Sequence, residues 1–395
     1  MKYKIDWSGR SINYSQEELE TIIDVVNNAD PMTQGKYLQE FERTVSNYLG
    51  VNHAFAMTNA ASALELIAVL SKLDPSSEVI IPSHTYCASA IPFGRTGARI
   101  VWADIDPRTY VVSVKDLISK ITPRTKMIVV VHLYGLPCEM EPIQEICLKH
   151  NIILVEDCAQ AFGAKYKGRH VGTFGDYACF SLHAQKNITT LGEGGILITK
   201  NKNDAQLVPG LRHNGHVAYG ERSHYWKPAM GNVDVDIEGV WPFNYSMTEV
   251  QAALGSKLIE RLDSLNYERR IRAEKFITAL KEFDELEFQK CEKYISPSFH
   301  LLPALYNGKK FNKTNDDFIE KISSKYGIKC IVQYYPLDRY PLFQKMGFGS
   351  SECPNADYFF DNMISFPFHL TMNELDFDYL IESTIKVLIE LRTEV

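Results

Sequence analysis

The chain has 395 residues, 45% of them hydrophobic and 23% charged, with a net charge of −7. That is ordinary globular composition, long enough for two domains or for one large domain with an appendage. There is no basic surplus to attract nucleic acid and no apolar run near the roughly 20 residues of a membrane span.

The opening residues, Met1-Lys-Tyr-Lys-Ile-Asp6, lack the apolar core of a signal peptide. The eight cysteines, at 87, 138, 147, 158, 179, 291, 330 and 353, form no C-x-x-C pair. Reduced thiols and a cytoplasmic location are therefore expected, with neither a zinc site nor a disulfide framework.

Residues 16–29 have helical periodicity, with Ser15 as N-cap. The loop Asp30-Pro-Met-Thr-Gln-Gly35 leads to a helix over 36–49, then a short strand at Ala54–Met57 and a helix from Asn59 to Ser71. Strands follow at Glu78–Pro82, Arg99–Asp104, Met127–His132 and Ile152–Glu156, separated by helices over Thr85–Gly94, 113–121 and Met140–His150. Tyr177–Leu182 and Gly195–Thr199 are two more β-type runs. Continuous Val/Ile strands alternating with helices predict an α/β domain with a mainly parallel mixed sheet flanked by helices.

Residues 201–245 are rich in His, Gly, Asn, Trp and Tyr and poor in periodicity, which reads as a long functional loop. Residues 247–282 read as one long or kinked helix. The rest mixes short strands with helices at 316–326 and 373–392, a smaller C-terminal α+β domain. The expected division is a large domain over 1–255, carrying the aromatic segment 213–243, and a small one over 256–395.

Lys186 lies between two apolar runs, among Ser181, His183, Asn187, Thr189 and Thr190 and ahead of Gly192-Glu-Gly-Gly195. Glycines let backbone approach a ligand, and hydroxyls offer donors to a phosphate. Asp157 ends an apolar strand, and ligands in open α/β sheets bind at the carboxyl ends of strands. A lysine for a Schiff base and an acid for a pyridinium nitrogen are what a pyridoxal phosphate (PLP) enzyme needs. Read alone, Asp157 is equally a structural acid.

Thr58-Asn-Ala-Ala-Ser62 at a strand-to-helix junction offers free N–H groups to an anion, or is an ordinary cap. Tyr86 stacks on a ring or packs in the core. His84, His183, His213, His216 and His224 have no metal-ligand spacing, and no metal is expected.

Together these segments resemble the DegT/DnrJ/EryC1/StrS family of PLP-dependent sugar aminotransferases, with the aspartate aminotransferase (type I) fold. The resemblance runs in order through Met32–Gly35, Thr58–Leu66, Pro82–Tyr86, Val131–Gly135, Glu156–Gln160, Ser181–Gly195 and Asn244–Gln251. It implies that Lys186 carries the cofactor and moves the proton, and that Asp157 pairs with the pyridine nitrogen. Gln160 sits by the phenolic oxygen and Tyr86 stacks on the ring. Ser181 and the N–H groups of Ala60 and Ala61 hold the phosphate. Asn244 reaches the phosphate in a partner subunit, so a homodimer with shared sites is implied.

The implied reaction takes an amino group from L-glutamate, through pyridoxamine phosphate (PMP), to a nucleotide-linked keto-deoxyhexose. Polysaccharide or amino-sugar biosynthesis is the implied setting. A non-nucleotide keto-sugar, a PMP-dependent 3-dehydratase and a non-catalytic relative are alternatives; the last two conflict with the presence of Lys186. Three features depart from the pattern. Ala60-Ala61 replaces Gly-Thr, with Ser62 offering a hydroxyl one position late. Ser246 replaces Arg, and the segment 213–243 is longer and more aromatic than usual.

Overall fold

The computed structural model describes residues 3–217, 224, 226, 232–235 and 237–394. Its centre is a seven-stranded sheet: β1 (Ala54–Met57), β2 (Glu78–Pro82), β3 (Arg99–Ala103), β4 (Thr125–Val131), β5 (Ile153–Asp157), β6 (Tyr177–Ser181) and β7 (Gly195–Thr199). The order across the sheet is β1-β7-β6-β5-β4-β2-β3. Only β7 runs against the rest. Strands β2, β4, β6 and β7 are buried on both faces almost throughout, which is why their sequences are continuous apolar runs.

Helices cover both faces. Ser15 and Glu18 form a capping box on Gln16–Asn28, and Thr248 and Gln251 form one on Glu249–Ala279. The latter is a single helix of 31 residues. Its Gly255 lets the Phe41 ring of the helix Lys36–Leu49 come close; a Cβ there would meet that ring at 2.6 Å. The buried Glu249 carboxylate accepts from the N–H groups of Gly35 and Tyr37, each at 2.8 Å, and ties the 30–35 loop to the start of the helix.

The long helix then leaves the large sheet for a smaller α+β part. There β8 (Leu286–Phe288), β9 (Leu302–Tyr306) and β10 (Met363–Phe366) form an antiparallel sheet in that order. Phe276, Phe318, Phe366 and Phe377 pack the helices Asn315–Tyr326 and Glu374–Thr393 against it. Among the described residues no helix is long and apolar enough to cross a membrane. All eight cysteines are free, and six are buried.

Two expectations are corrected. The segment after 200 begins with a helix, Lys202–Arg212, capped by Asn201, whose side chain accepts from the N–H groups of Asn203 and Asp204. Pro209 and Gly210 in its last turn mask the periodicity of the buried Ala205, Val208 and Leu211. The helix expected over Thr85–Gly94 is a 3-10 turn, Cys87–Ser89, followed by Ile91–Arg95. Pro92 restarts the helix there, in the first turn where its missing N–H is harmless. Of the aromatic segment 213–243, residues 218–223, 225, 227–231 and 236 lie outside the described residues.

One buried acid organises the sheet beneath the site. Glu156 is fully buried, and its Oε1 accepts from the N–H groups of Phe174 and Gly175, each at 2.7 Å. Its Oε2 accepts from Gly172 N–H at 2.8 Å and from His132 Nε2 at 3.1 Å. The Cys138 N–H donates to His132 Nδ1 at 3.0 Å, which fixes the proton on Nε2. Cys158 lies beside this pair, but the carboxylate is already saturated with donors. Burial opposes its charge, yet the His132 hydrogen bond and the loop N–H groups hold Glu156 below the usual carboxylate range. Glu156→Gln turns an amide N–H towards those donors. It should lower stability by about 3 kcal/mol, read as a lower urea midpoint; an unchanged midpoint would refute the assignment.

Candidate active site

Strand register gathers the site at one edge of the sheet. Met57 pairs with Gly195, and Gly195 pairs with Ser181. Because β7 is antiparallel, its first residue lies beside the last residues of β1 and β6. Asp157 ends β5 next to β6, in register with Cys179. This edge collects the carboxyl ends of the parallel strands, the usual ligand position in such sheets.

The turn after β1 starts the helix Ala60–Leu70 with Asn59 as N-cap. Asn59 Oδ1 accepts from Ser62 N–H at 2.8 Å. The first two helical N–H groups, on Ala60 and Ala61, have no acceptor among the described residues. Gly195 is pressed against this turn: a Cβ there would sit 2.2 Å from the Asn59 carbonyl carbon and 2.6 Å from Ala60 N. Two unpaired N–H groups at a helix start, with Ser181 two strands away, make a cradle that fits a phosphate.

Ser62 does not supply the missing hydroxyl. Its Oγ donates to Asn59 O at 2.7 Å, lies 3.0 Å from Thr58 Oγ1, and completes the capping box. Backbone N–H groups and Ser181 are what remain for the anion.

Asp157 is buried, with Oδ2 accepting from Ser89 Oγ at 2.7 Å and Oδ1 from Ala159 N–H at 3.0 Å. Cys179 Sγ lies 3.6 Å from Oδ1, and its thiol is pushed well up by burial and by that carboxylate. Oδ2 keeps a free lone pair, so the carboxylate can take one more donor, such as a pyridinium N–H. Lys186 follows a turn in which its N–H donates to His183 O at 2.9 Å. Desolvation lowers the Lys186 amine to about 8, and the Asp157 charge opposes the shift.

Gln160 Oε1 accepts from Tyr134 N–H at 2.7 Å, and its Nε2 donates to Tyr334 Oη at 3.0 Å. Tyr334 stacks on Tyr134 with ring centres 6.1 Å apart and planes 19° apart. Tyr86 is 58% exposed and meets Tyr334 edge-on at 6.1 Å, so its face is open. The packed-core alternative for Tyr86 is thereby excluded.

Asn244 stands apart. It is exposed on an extended segment bridged to His213. Ser246 accepts from Gln34 Nε2 at 3.0 Å and lies 3.1 Å from His213 Nδ1, a small polar link in the place of a long cation.

Several site residues escaped the sequence reading. Ser89 holds Asp157 and Tyr334 frames Gln160, from segments with no motif of their own; Tyr134, the other partner of Gln160, lies within the Val131–Gly135 motif, which by itself assigns it no role. His300 is buried behind the lysine loop, with Nδ1 3.3 Å from Asn187 Oδ1. A separate concavity of about 870 Å³ lies at the opposite edge of the sheet, around Ile153, Tyr177 and Lys200, and holds none of these residues.

The sequence of residues 13–384 matches the model of the DegT/DnrJ/EryC1/StrS aminotransferase family. The chain is 42% identical over 229 residues to the GDP-perosamine synthase of Caulobacter vibrioides, a match spanning 58% of each protein. It is 30% identical to the UDP-N-acetyl-3-dehydro-alpha-D-glucosamine 3-aminotransferase of Acidithiobacillus ferrooxidans, over 86% of this chain and 85% of that one. A Streptococcus pneumoniae structure solved in its PMP form superposes with a TM-score of 0.86 at 25% identity, covering 98% of this chain and all of that one. With a lysine, a strand-end acid and an anion cradle assembled at one sheet edge, the chain belongs to the DegT/DnrJ/EryC1/StrS aminotransferase family and is a PLP-dependent aminotransferase.

Proposed function

We propose that this aminotransferase moves an amino group from L-glutamate to a nucleotide-linked keto-sugar, a keto-deoxyhexose. Lys186 carries the proposal: it supplies the amine that amination needs and that a dehydratase of this family lacks. The relatives' names support the sugar class, since one carries GDP and another UDP.

In this reading Lys186 would hold the cofactor covalently, and Asp157 would pair with the pyridine nitrogen. Gln160 would serve the phenolic oxygen, Tyr86 the ring, and the Ala60 and Ala61 N–H groups with Ser181 would hold the phosphate. PLP, once bound, supplies an electron sink that makes the hydrogen on the adjoining substrate carbon acidic. Lys186 Nζ takes that proton from the donor carbon and, in the second half-reaction, delivers one to the sugar carbon that gains the amine. Desolvation helps, because an amine lowered to about 8 is partly neutral at physiological pH. Ser89 keeps the Asp157 carboxylate oriented. The exposed Asn244 serves the phosphate site of a second subunit in a homodimer.

Four outcomes test this. Amine-reactive labelling of Lys186 in cofactor-free protein should rise through about pH 8; a midpoint near that of free lysine would refute the desolvated site. Lys186→Ala should still bind cofactor yet lose turnover by several orders of magnitude. PMP-loaded wild type, screened against keto-sugar nucleotides and free keto-sugars, should regain the PLP absorbance with a nucleotide-linked member only. A deoxygenated product, or a response to free sugars alone, would overturn the reading. Finally, Lys186→Ala and Asn244→Ala subunits mixed in one dimer should recover activity that neither homodimer has. Absence of complementation would place Asn244 outside the shared site.

A further inference from the structure

The segment Trp7–Ser11 crosses the lysine loop as a strap. The Ser11 hydroxyl donates to the Lys186 carbonyl, and the Ser11 N–H donates to Ala184 O at 3.3 Å. Gln185 Nε2 donates to Ser8 O at 3.2 Å. From the C-terminal part, Leu370 N–H donates to Ser11 O at 2.8 Å. The strap is thus tied both to the lysine loop and to the smaller sheet's surroundings.

Under it lies a cavity of about 60 Å³ whose walls include Arg10, Lys186, His300, Gln333, Tyr334 and His369. No carboxylate lines it, and Arg10 makes no ion pair among the described residues. Arg10 is its one permanent cation. The histidines add no charge, because burial holds His300 and His369 below the ordinary histidine range. Asn187 Nδ2 donates to Asn266 Oδ1 and Ser298 O, each at 2.8 Å, so its Oδ1 must accept from His300 Nδ1. His300 then presents only an acceptor nitrogen, Nε2, which repels an anion's oxygens and leaves Arg10 to take them.

We propose that Arg10 is the specificity residue for the amino donor, binding a donor carboxylate in this cavity beside Lys186. The inference rests on the reading that the donor is an amino acid. A guanidinium fork matches a carboxylate through two parallel hydrogen bonds. The recess has room for a carboxylate beside Lys186.

The test separates the two half-reactions in the PLP-loaded enzyme. Arg10→Ala should raise the KM for L-glutamate roughly 10- to 100-fold, and Arg10→Lys should restore part of it. Calorimetry with glutarate, which has the carboxylates but no amine, should show the same loss of affinity. The PMP form should react with its keto-sugar as wild type does. Unchanged glutamate KM and glutarate affinity would overturn the proposal, as would equal losses in both half-reactions or a loss confined to the sugar. If the wild type accepts no amino acid donor, the donor reading itself fails, while glutarate still reports on Arg10. Because Arg10 is exposed, the variant should fold normally, and an unchanged urea midpoint checks this.

Discussion

Gly195 has no room for a single methyl group, and the site depends on that closeness. The start of β7 lies against the Asn59–Ala60 peptide, so the first N–H groups of the following helix stand over the sheet edge where Ser181 ends β6. A side chain at 195 would push the helix start away and open the cradle. The antiparallel direction of β7 is the other half of the constraint. Run the other way, its first residue would lie at the far edge, and the glycine would face neither the turn nor Ser181.

Two adjacent acids show how one strand does two jobs. Successive residues of a strand point to opposite faces. Glu156 therefore turns to His132 and the 172–175 loop, where four donors hold its charge inside the protein. Asp157 turns to Ser89 and the cofactor side. The first makes the second possible, because the Glu156 network fixes the strand end from which Asp157 projects. The charge on Asp157 in turn limits how far desolvation lowers Lys186, keeping the amine near 8. Deeper depression would leave a weaker base; none would leave an ammonium that cannot accept a proton.

The N-terminal strap gives a chemical role to residues without a motif. Ser11 and Gln185 tie it to the lysine loop, and Leu370 ties it to the C-terminal part. The amine therefore sits where large sheet, small sheet and strap meet. In the proposed reaction two dissimilar substrates must present their reacting carbons to that one amine. A small cationic recess beside Lys186 answers that need for the donor without moving the amine.

Much of this was legible in the chain itself. Apolar runs alternating with helices determined the parallel sheet, and Lys186, Asp157 and the turn at 58–62 carried the resemblance that pointed to the cofactor. These are local matters: periodicity, caps and residue type act within a few positions. The helix Lys202–Arg212 was hidden because Pro209 and Gly210 look like breakers until packing outweighs propensity. Ser62 looked like a phosphate ligand until its hydroxyl closed the capping box. Ser89, Tyr334, His300 and Arg10 carried no signal, because their partners lie tens to hundreds of residues away. Only strand register and the crossing of the strap bring them together. The sequence by itself determined the sheet and pointed to the groups proposed to react. Tertiary structure alone decided which hydroxyls, rings and charges surround them, since those contacts are long-range and no local pattern encodes them.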